Sequence, residues 1–377
     1  MKLGVLGGGQ LGRMLALAGY PLGLRFRFLD PAPESPVQEL AELVIGRFDD
    51  LEVLNRFPVG LEVLTYEFEN VPLEPARHLA RHVPVYPPIA ALEASQDRLY
   101  EKTLFHSLGM ATAPFLTVDS RDDLSRAVTE LGLPALLKTR RLGYDGKGQY
   151  LLREANDVER AWQTLGGVPL ILEGFVRFER ELSQIAVRGR DGSMVFYPLV
   201  ENHHVDGILR VTYAPAPGLS ETLTHSAQSF LRRLMEHLDY VGVLTVEFFQ
   251  TDGHLVANEM APRVHNSGHW SIEGARTSQF ENHLRAVLGW PLGPAEAVGP
   301  SAMVNLIGVI PARSEVLRVR GAHLHLYGKM ARAGRKVGHV TLWGEDEATV
   351  RQGVEQLGRL ISQEALTGGF TPSTSFP

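Results

Sequence analysis

Leu137-Lys138-Thr139-Arg140-Arg141-Leu142-Gly143-Tyr144-Asp145-Gly146-Lys147-Gly148-Gln149 sets three glycines and a lysine between two apolar runs, with a second lysine closing the first run. Residues 135–139 read as one strand and 149–152 as the next, so the glycines form a strand–loop–strand flap. Backbone amides together with ammonium groups suit the oxygens of a triphosphate. The spacing is not G-x-x-x-x-G-K-[ST], so this is no Walker A loop. A plain hairpin with a solvated basic tip has similar glycines. Lys138, however, closes an apolar strand, where an ammonium needs a partner.

A second decisive stretch lies downstream. Leu244-Thr245-Val246-Glu247-Phe248-Phe249 is an apolar strand with a carboxylate in its middle, and Asn258-Glu259 ends the next strand. A carboxylate there is costly unless it is paired or holds a metal. Magnesium takes hard oxygen ligands, often one or two carboxylates plus phosphates. The two strands read as a hairpin around Asp252-Gly253. A strict two-residue turn places Glu247 opposite Asn258 and turns Glu259 to the other face, whereas a three-residue loop, or one bulge, places Glu247 opposite Glu259. A metal site needs the second arrangement; a buried ion pair with an arginine does not. Met260-Ala261-Pro262-Arg263-Val264-His265-Asn266-Ser267-Gly268-His269-Trp270 follows. Its arginine, histidines, asparagine and serine can position an anion beside a transferring phosphoryl group. The histidines lack zinc-site spacing.

The N-terminus offers a competing signal. Gly7-Gly8-Gly9-Gln10-Leu11-Gly12 matches G-x-G-x-x-G between a strand at 2–6 and a helix with Leu11, Met14, Leu15 and Ala18 on one face. Asp30 ends the following strand, where the ribose-binding acid of a dinucleotide fold would stand. Alone, this suggests an NAD-dependent oxidoreductase. A glycine turn at a helix N-terminus receives any phosphate, though, and also serves simply for close packing. A nicotinamide enzyme would leave the carboxylate pair unexplained, so the turn is read as a place for a substrate phosphate.

Composition narrows the classes. The 377 residues suggest two or three domains, and the net charge of −6 argues against a nucleic-acid or anionic-membrane partner. With no cysteine, disulfides and thiolate chemistry are excluded. No apolar stretch is long enough to span a bilayer and no signal peptide is evident, so the expected location is cytoplasmic. There are 31 arginines and only six lysines, four of which (Lys138, Lys147, Lys329 and Lys336) fall in the candidate sites.

Along the chain, 24–29, 41–45 and 61–65 read as further strands of a parallel sheet, up to prolines at 83–88. A helix at 96–108 stops at Gly109, and Ser120 with Asp123 resembles a capping box. Strands follow at 170–173, 181–188 and 194–198, with a helix at 226–238. A Pro/Gly-rich linker at 290–300 precedes short strands and one helix at 346–360. Glu173-Gly174-Phe175-Val176 offers an acceptor carboxylate beside an aromatic for an adenine edge, with Glu181 for ribose hydroxyls.

Taken together, the runs 7–14, 143–149, 201–208 (with His204 and Asp206), 258–270 and 334–339 resemble the N5-carboxyaminoimidazole ribonucleotide synthetases of purine biosynthesis over nearly the whole chain. The resemblance implies an α/β and α+β chain of ATP-grasp architecture. A parallel-sheet pre-ATP-grasp domain (1–90), an ATP-grasp domain (91–290) and a small C-terminal domain (291–377) would form a homodimer. It implies that ATP and bicarbonate give carboxyphosphate, whose carboxyl group is captured, directly or as released CO2, by the amine of 5-aminoimidazole ribonucleotide. Arg98, Lys138 and the flap from Gly143 through Tyr144, Asp145, Gly146, Lys147 and Gly148 to Gln149 would hold ATP phosphates. Glu173, Gly174, Phe175 and Val176 would bind adenine, and Glu181 the ribose, with His204 nearby. Glu247 and Glu259 would ligate Mg2+ beside Asn258. Arg263, His265 and Asn266 would hold bicarbonate or carboxyphosphate. The nucleotide substrate would meet Gln10, Leu11, Glu67, Tyr144, Lys329, Arg335 and Lys336. The competing acceptors, formate or glycine as in other ATP-grasp purine ligases, fit the 334–339 run and the histidine-rich loop less well.

Overall fold

Short apolar runs separated by helices make the first sheet of the computed structural model, which describes residues 1–143 and 146–367. β1 (Lys2–Leu6), β2 (Arg25–Asp30), β3 (Glu42–Ile45) and β4 (Val63–Tyr66) are all parallel, in the order β3-β2-β1-β4. Parallel neighbours need crossovers. Helix Gln10–Gly19 connects β1 to β2 and helix Leu51–Arg56 connects β3 to β4. Met14 and Leu15 are buried, as their spacing predicts. At Gly19 the helix meets helix Gln279–Leu288, and a Cβ there would stand 3.1 Å from Leu284.

The second sheet is small and antiparallel. β5 (Phe115–Val118), β6 (Ala135–Thr139), β7 (Gln149–Leu152) and β8 (Leu170–Gly174) run in the order β5-β8-β6-β7. Helices Arg121–Leu131 and Asp157–Leu165 share its apolar cluster. The Ser120 hydroxyl accepts from Asp123 N at 3.1 Å, and the Asp123 carboxylate accepts from Ser120 Oγ at 2.7 Å. The expected capping pair is therefore made. Gly109, at φ 74°, ends helix Arg98–Ser107 as expected.

Nine strands build the third sheet: β9 (Arg180–Arg188), β10 (Met194–Phe196), β11 (Val200–Val205), β12 (Ile208–Ala214), β13 (Gly242–Thr251), β14 (His254–Ala261), β15 (Ser301–Ile307), β16 (Ala322–Leu326) and β17 (Lys336–Trp343). The order is β14-β13-β9-β11-β12-β15-β17-β16, with β10 beside β9. The last region thus continues the sheet through the β12–β15 pairing. Helix Glu221–His237 backs the β13–β14 end with Phe230, Leu231 and Leu234. It starts five residues before the expected 226, at a Ser220 cap, because its first turn is polar and hides the apolar period. Helix Glu347–Thr367 likewise outruns the expected 360. Among the described residues no helix is long and apolar enough to cross a membrane.

His283 ties the first sheet to the third. Val243 N donates to its Nδ1 at 3.2 Å, so Nε2 carries the proton and meets Thr65 Oγ1 at 2.8 Å. Burial lowers this imidazole from 6.5 to about 3. The unfolded chain takes up the proton below about 6.5 and the folded chain only near 3, so stability falls as the pH drops through that window, by ~1.4 kcal/mol per pH unit for this one group. His283→Gln should flatten the acid limb of urea-unfolding midpoints measured from pH 7 to 4 by about that slope.

Candidate functional site

A cleft of about 560 Å3 opens where the three sheets meet. Gln10, Leu11 and Glu67 line it from the first sheet. Lys138, Gly143, Gly146, Lys147 and Gln149 line it from the flap, and Glu181, His204, Glu247, Asn258 and Glu259 from the large sheet. Arg98, Arg263, His265, Asn266 and Lys336 complete the expected set that converges there.

At the flap end, Lys138 is buried, and its Nζ lies 2.9 Å from Glu173 Oε2. Lys102 shares that oxygen at 3.3 Å. Glu173 is thus the partner that Lys138 required. Both ammonium groups meet Oε2 and, despite burial, hold the carboxylate down at about 2, while its Oε1 has no hydrogen-bond partner among the described residues. Phe175 is exposed, and Glu173, Gly174, Phe175 and Val176 contribute no lining side chain. Phe68 lines the cleft from the first sheet and Phe249 from the large one, the latter stacked on Phe178 at 4.7 Å between centroids. Period-two alternation from Glu247 could have pointed to Phe249. A Cβ on Gly146 would lie 3.1 Å from the carbonyl of Asp206, so glycine lets the flap approach the β11–β12 turn. Gly148, at φ 70°, closes the flap by accepting from Thr139 N at 2.8 Å. Tyr144 and Asp145 lie outside the described residues. Glu181 Oε2 and His204 Nδ1 are 2.7 Å apart. Burial lowers His204, but Glu181 and Glu247 outweigh it and hold the imidazole above its ordinary value.

The carboxylate pair answers the register question. Asp252 and Gly253 have φ 49° and 74°, as a tight two-residue turn requires. Phe248 pairs with Ala257, yet Val246 pairs with Met260. The register therefore shifts by one residue, and Asn258 and Glu259 both stand opposite Glu247: a β-bulge. Both carboxylates line the same cleft. Burial raises Glu247, the charge of Glu259 adds to this, and His204 offsets part of it. Arg98 Nη1 reaches Glu259 Oε2 at 3.0 Å. Beneath lies Glu101, a lining residue that the sequence reading missed; burial, reinforced by Glu259, pushes it up to about 8. Charged residues at inward positions of an amphipathic helix were the available signal.

Along the 260–270 loop, Arg263 Nε donates to Glu69 Oε2 at 2.5 Å, a pairing strong enough to hold the half-buried Glu69 at about 2. Ser267 N donates to His265 Nδ1 at 3.3 Å, so Nε2 carries the proton, 3.6 Å from Glu247 Oε1. Burial and then Arg263 keep this imidazole neutral, well below its ordinary value. Asn266 and Asn305 exchange amide hydrogen bonds at 2.8 and 3.1 Å.

The first glycine turn differs from expectation. Gly8 N donates to Asp30 Oδ2 at 2.7 Å, Gly12 N donates to Glu67 Oε2 at 2.6 Å, and Gly9 N donates to Glu67 Oε1. Three amides of the turn, those of Gly8, Gly9 and Gly12, are thus filled by the protein's own carboxylates. A Cβ on Gly8 would sit 2.3 Å from Ser35 Oγ, so these glycines make room for side chains. Gln10 and Leu11 still face the cleft, and Lys329 donates to Gln10 Oε1. Lys329 and Arg335 do not line the cleft, whereas Lys336 does.

Known proteins match this arrangement. Models of a ribonucleotide synthetase preATP-grasp domain, an ATP-grasp domain and a phosphoribosylaminoimidazole carboxylase C-terminal domain match residues 1–96, 103–280 and 301–353. The chain is 52% identical over 361 residues to N5-carboxyaminoimidazole ribonucleotide synthase of Pseudomonas aeruginosa, covering 96% of this chain and 99% of the relative. It is similar to the crystal structure of the corresponding synthetase of Thermus thermophilus at TM-score 0.92 and 60% identity, covering 96% and 98% of the two chains. A synthase from Aspergillus clavatus, in complex with ADP and 5-aminoimidazole ribonucleotide, matches at TM-score 0.89 and 32% identity over 96% and 98%.

The occupied glycine turn has a measurable consequence. Glu67→Ala strands two buried amides and should cost about 1–3 kcal/mol in urea unfolding for each. Inorganic phosphate should then raise the Tm of the variant more than that of the wild type, because an outside anion can take the vacated place.

Proposed function

This chain belongs to the family of N5-carboxyaminoimidazole ribonucleotide synthases, ATP-dependent ligases that carboxylate 5-aminoimidazole ribonucleotide in purine biosynthesis, and we propose that it uses bicarbonate, carboxyphosphate and a magnesium site at Glu247 and Glu259. The bulge carries this reading, because it sets two carboxylates and the Asn258 carboxamide on one wall of the cleft. Hard oxygens in that number fit Mg2+, and the repulsion between the carboxylates is what a dication relieves. The ion would neutralise charge building on the triphosphate.

Lys138, Arg98 and the flap residues would take the ATP phosphates. The flap would shield a labile mixed anhydride from water. The backbone of residues 173–176 would receive adenine, and the Glu181–His204 pair the ribose. A bicarbonate oxygen attacks the γ-phosphorus as the bond to ADP breaks. Arg263, fixed by Glu69, would pair with the resulting anion, with neutral His265 and Asn266 as polar contacts. The amine of the nucleotide then attacks the carboxyl carbon, phosphate leaves with the C–O bonding pair, and the amine gives up a proton. Gln10, Leu11, Glu67, Tyr144, Lys329, Arg335 and Lys336 would position that nucleotide, its phosphate meeting the lysines and arginine. We assign the chain to a cytoplasmic homodimer with the three-part division above.

ADP release measured with bicarbonate and aminoimidazole ribonucleotide, each present or absent, tests this. Full turnover should require both; equal stimulation by formate or glycine overturns the acceptor. Glu259→Gln should cut turnover by on the order of 100-fold or more with an unchanged Tm. Lys336→Ala should raise KM for the nucleotide about tenfold while leaving that for ATP in place.

A further inference from the structure

Helix Arg98–Ser107 buries two charged side chains on the face that also carries Leu104 and Phe105: Glu101 is 2% and Lys102 1% exposed. Such charges are retained only where each is bonded. Glu101 Oε1 accepts from Met260 N at 2.6 Å, and Lys102 Nζ donates to Asn258 O at 3.2 Å. These two backbone groups stand on either side of Glu259. They belong to β14, which ends the sheet and has β13 as its one strand neighbour. Arg98, one turn back on the same helix, holds the Glu259 carboxylate itself.

The pairing discriminates between the two registers. Ala257 N already points away from β13, to Ala111 O at 2.8 Å. Strict alternation would make Glu259 the next outward residue and turn Met260 N and Asn258 O toward β13. With the bulge, Met260 N and Asn258 O face the helix instead. In the unbulged register Glu101 and Lys102 would lose these partners while staying buried. We propose that Glu101 and Lys102 are positioning residues for the magnesium site, clamping the backbone on both sides of Glu259 so that the bulge keeps its carboxylate facing Glu247. This rests on the reading of Glu247 and Glu259 as metal ligands.

Mn2+ binding to the purified full chain at constant saturating ADP, followed by water-proton relaxation, tests the clamp. Glu101→Ala should weaken Mn2+ about tenfold or more, the loss typical of removing a group that orients a ligand. Lys102→Met should do the same. Glu101→Gln keeps a carbonyl acceptor in place and should stay within about twofold of wild type. Folded Glu101→Ala or Lys102→Met binding Mn2+ like wild type overturns the proposal, as does a Glu101→Gln no better than Glu101→Ala. If Glu101→Ala does not fold, Lys102→Met decides alone. Glu259→Gln run alongside separates the two readings. Normal Mn2+ binding there removes the metal site itself, whereas weakening in Glu259→Gln alone removes only the clamp.

Discussion

A strand with one residue more than its partner must either slip its register or fold the extra residue out of the ladder. In β14 the extra residue is folded out, opposite Glu247, and Asn258 and Glu259 share the place of one. Had the strand slipped instead, its side chains would have exchanged faces and Glu259 would have left the cleft. The like charges then crowd together, and Arg98, His204 and the sheet around them are arranged to tolerate it. Two further cations of the cleft wall are similarly committed: Arg263 to Glu69, and Lys138 to Glu173, which Lys102 shares. Such pairs fix the geometry before any ligand arrives, and that is how a polar site acts without reorganising.

The nine-stranded sheet transmits this arrangement. β9 carries Glu181, β13 carries Glu247, and β17 begins with Lys336. These positions sit on one hydrogen-bonded surface, so the groups proposed to face ATP and the nucleotide substrate keep their spacing. The second sheet stands apart with its own apolar cluster, and it bears the flap. A rigid wall faced by a separately cored, glycine-hinged cover suits a reaction that must shut out water.

Much of the architecture was legible because it is written locally. The Ser120–Asp123 cap, the stop at Gly109 and the Asp252-Gly253 turn each need only a few neighbouring residues. The helix at Glu221 was read late because its polar opening turn carries no apolar period. The site divides along the same line. The sequence shows that Lys138 needs a partner, but Glu173 is supplied by another strand. It shows that one bulge would join Glu247 to Glu259, but the groups that favour the bulge lie some 160 positions earlier. The first glycine turn is ambiguous in sequence because a phosphate and an internal carboxylate satisfy the same kind of amide, and only the fold brings Glu67 to those of Gly9 and Gly12.

The contact between Gln10 and Lys329 spans 319 positions of sequence. The elements proposed to hold the triphosphate and the metal end by residue 270, whereas Lys329 and Lys336 come near the end of the chain. During synthesis, then, the residues proposed for the triphosphate leave the ribosome well before β15 can dock on β12. Only the last stretch to emerge brings Lys336 to the cleft, so the groups proposed for the acceptor meet last.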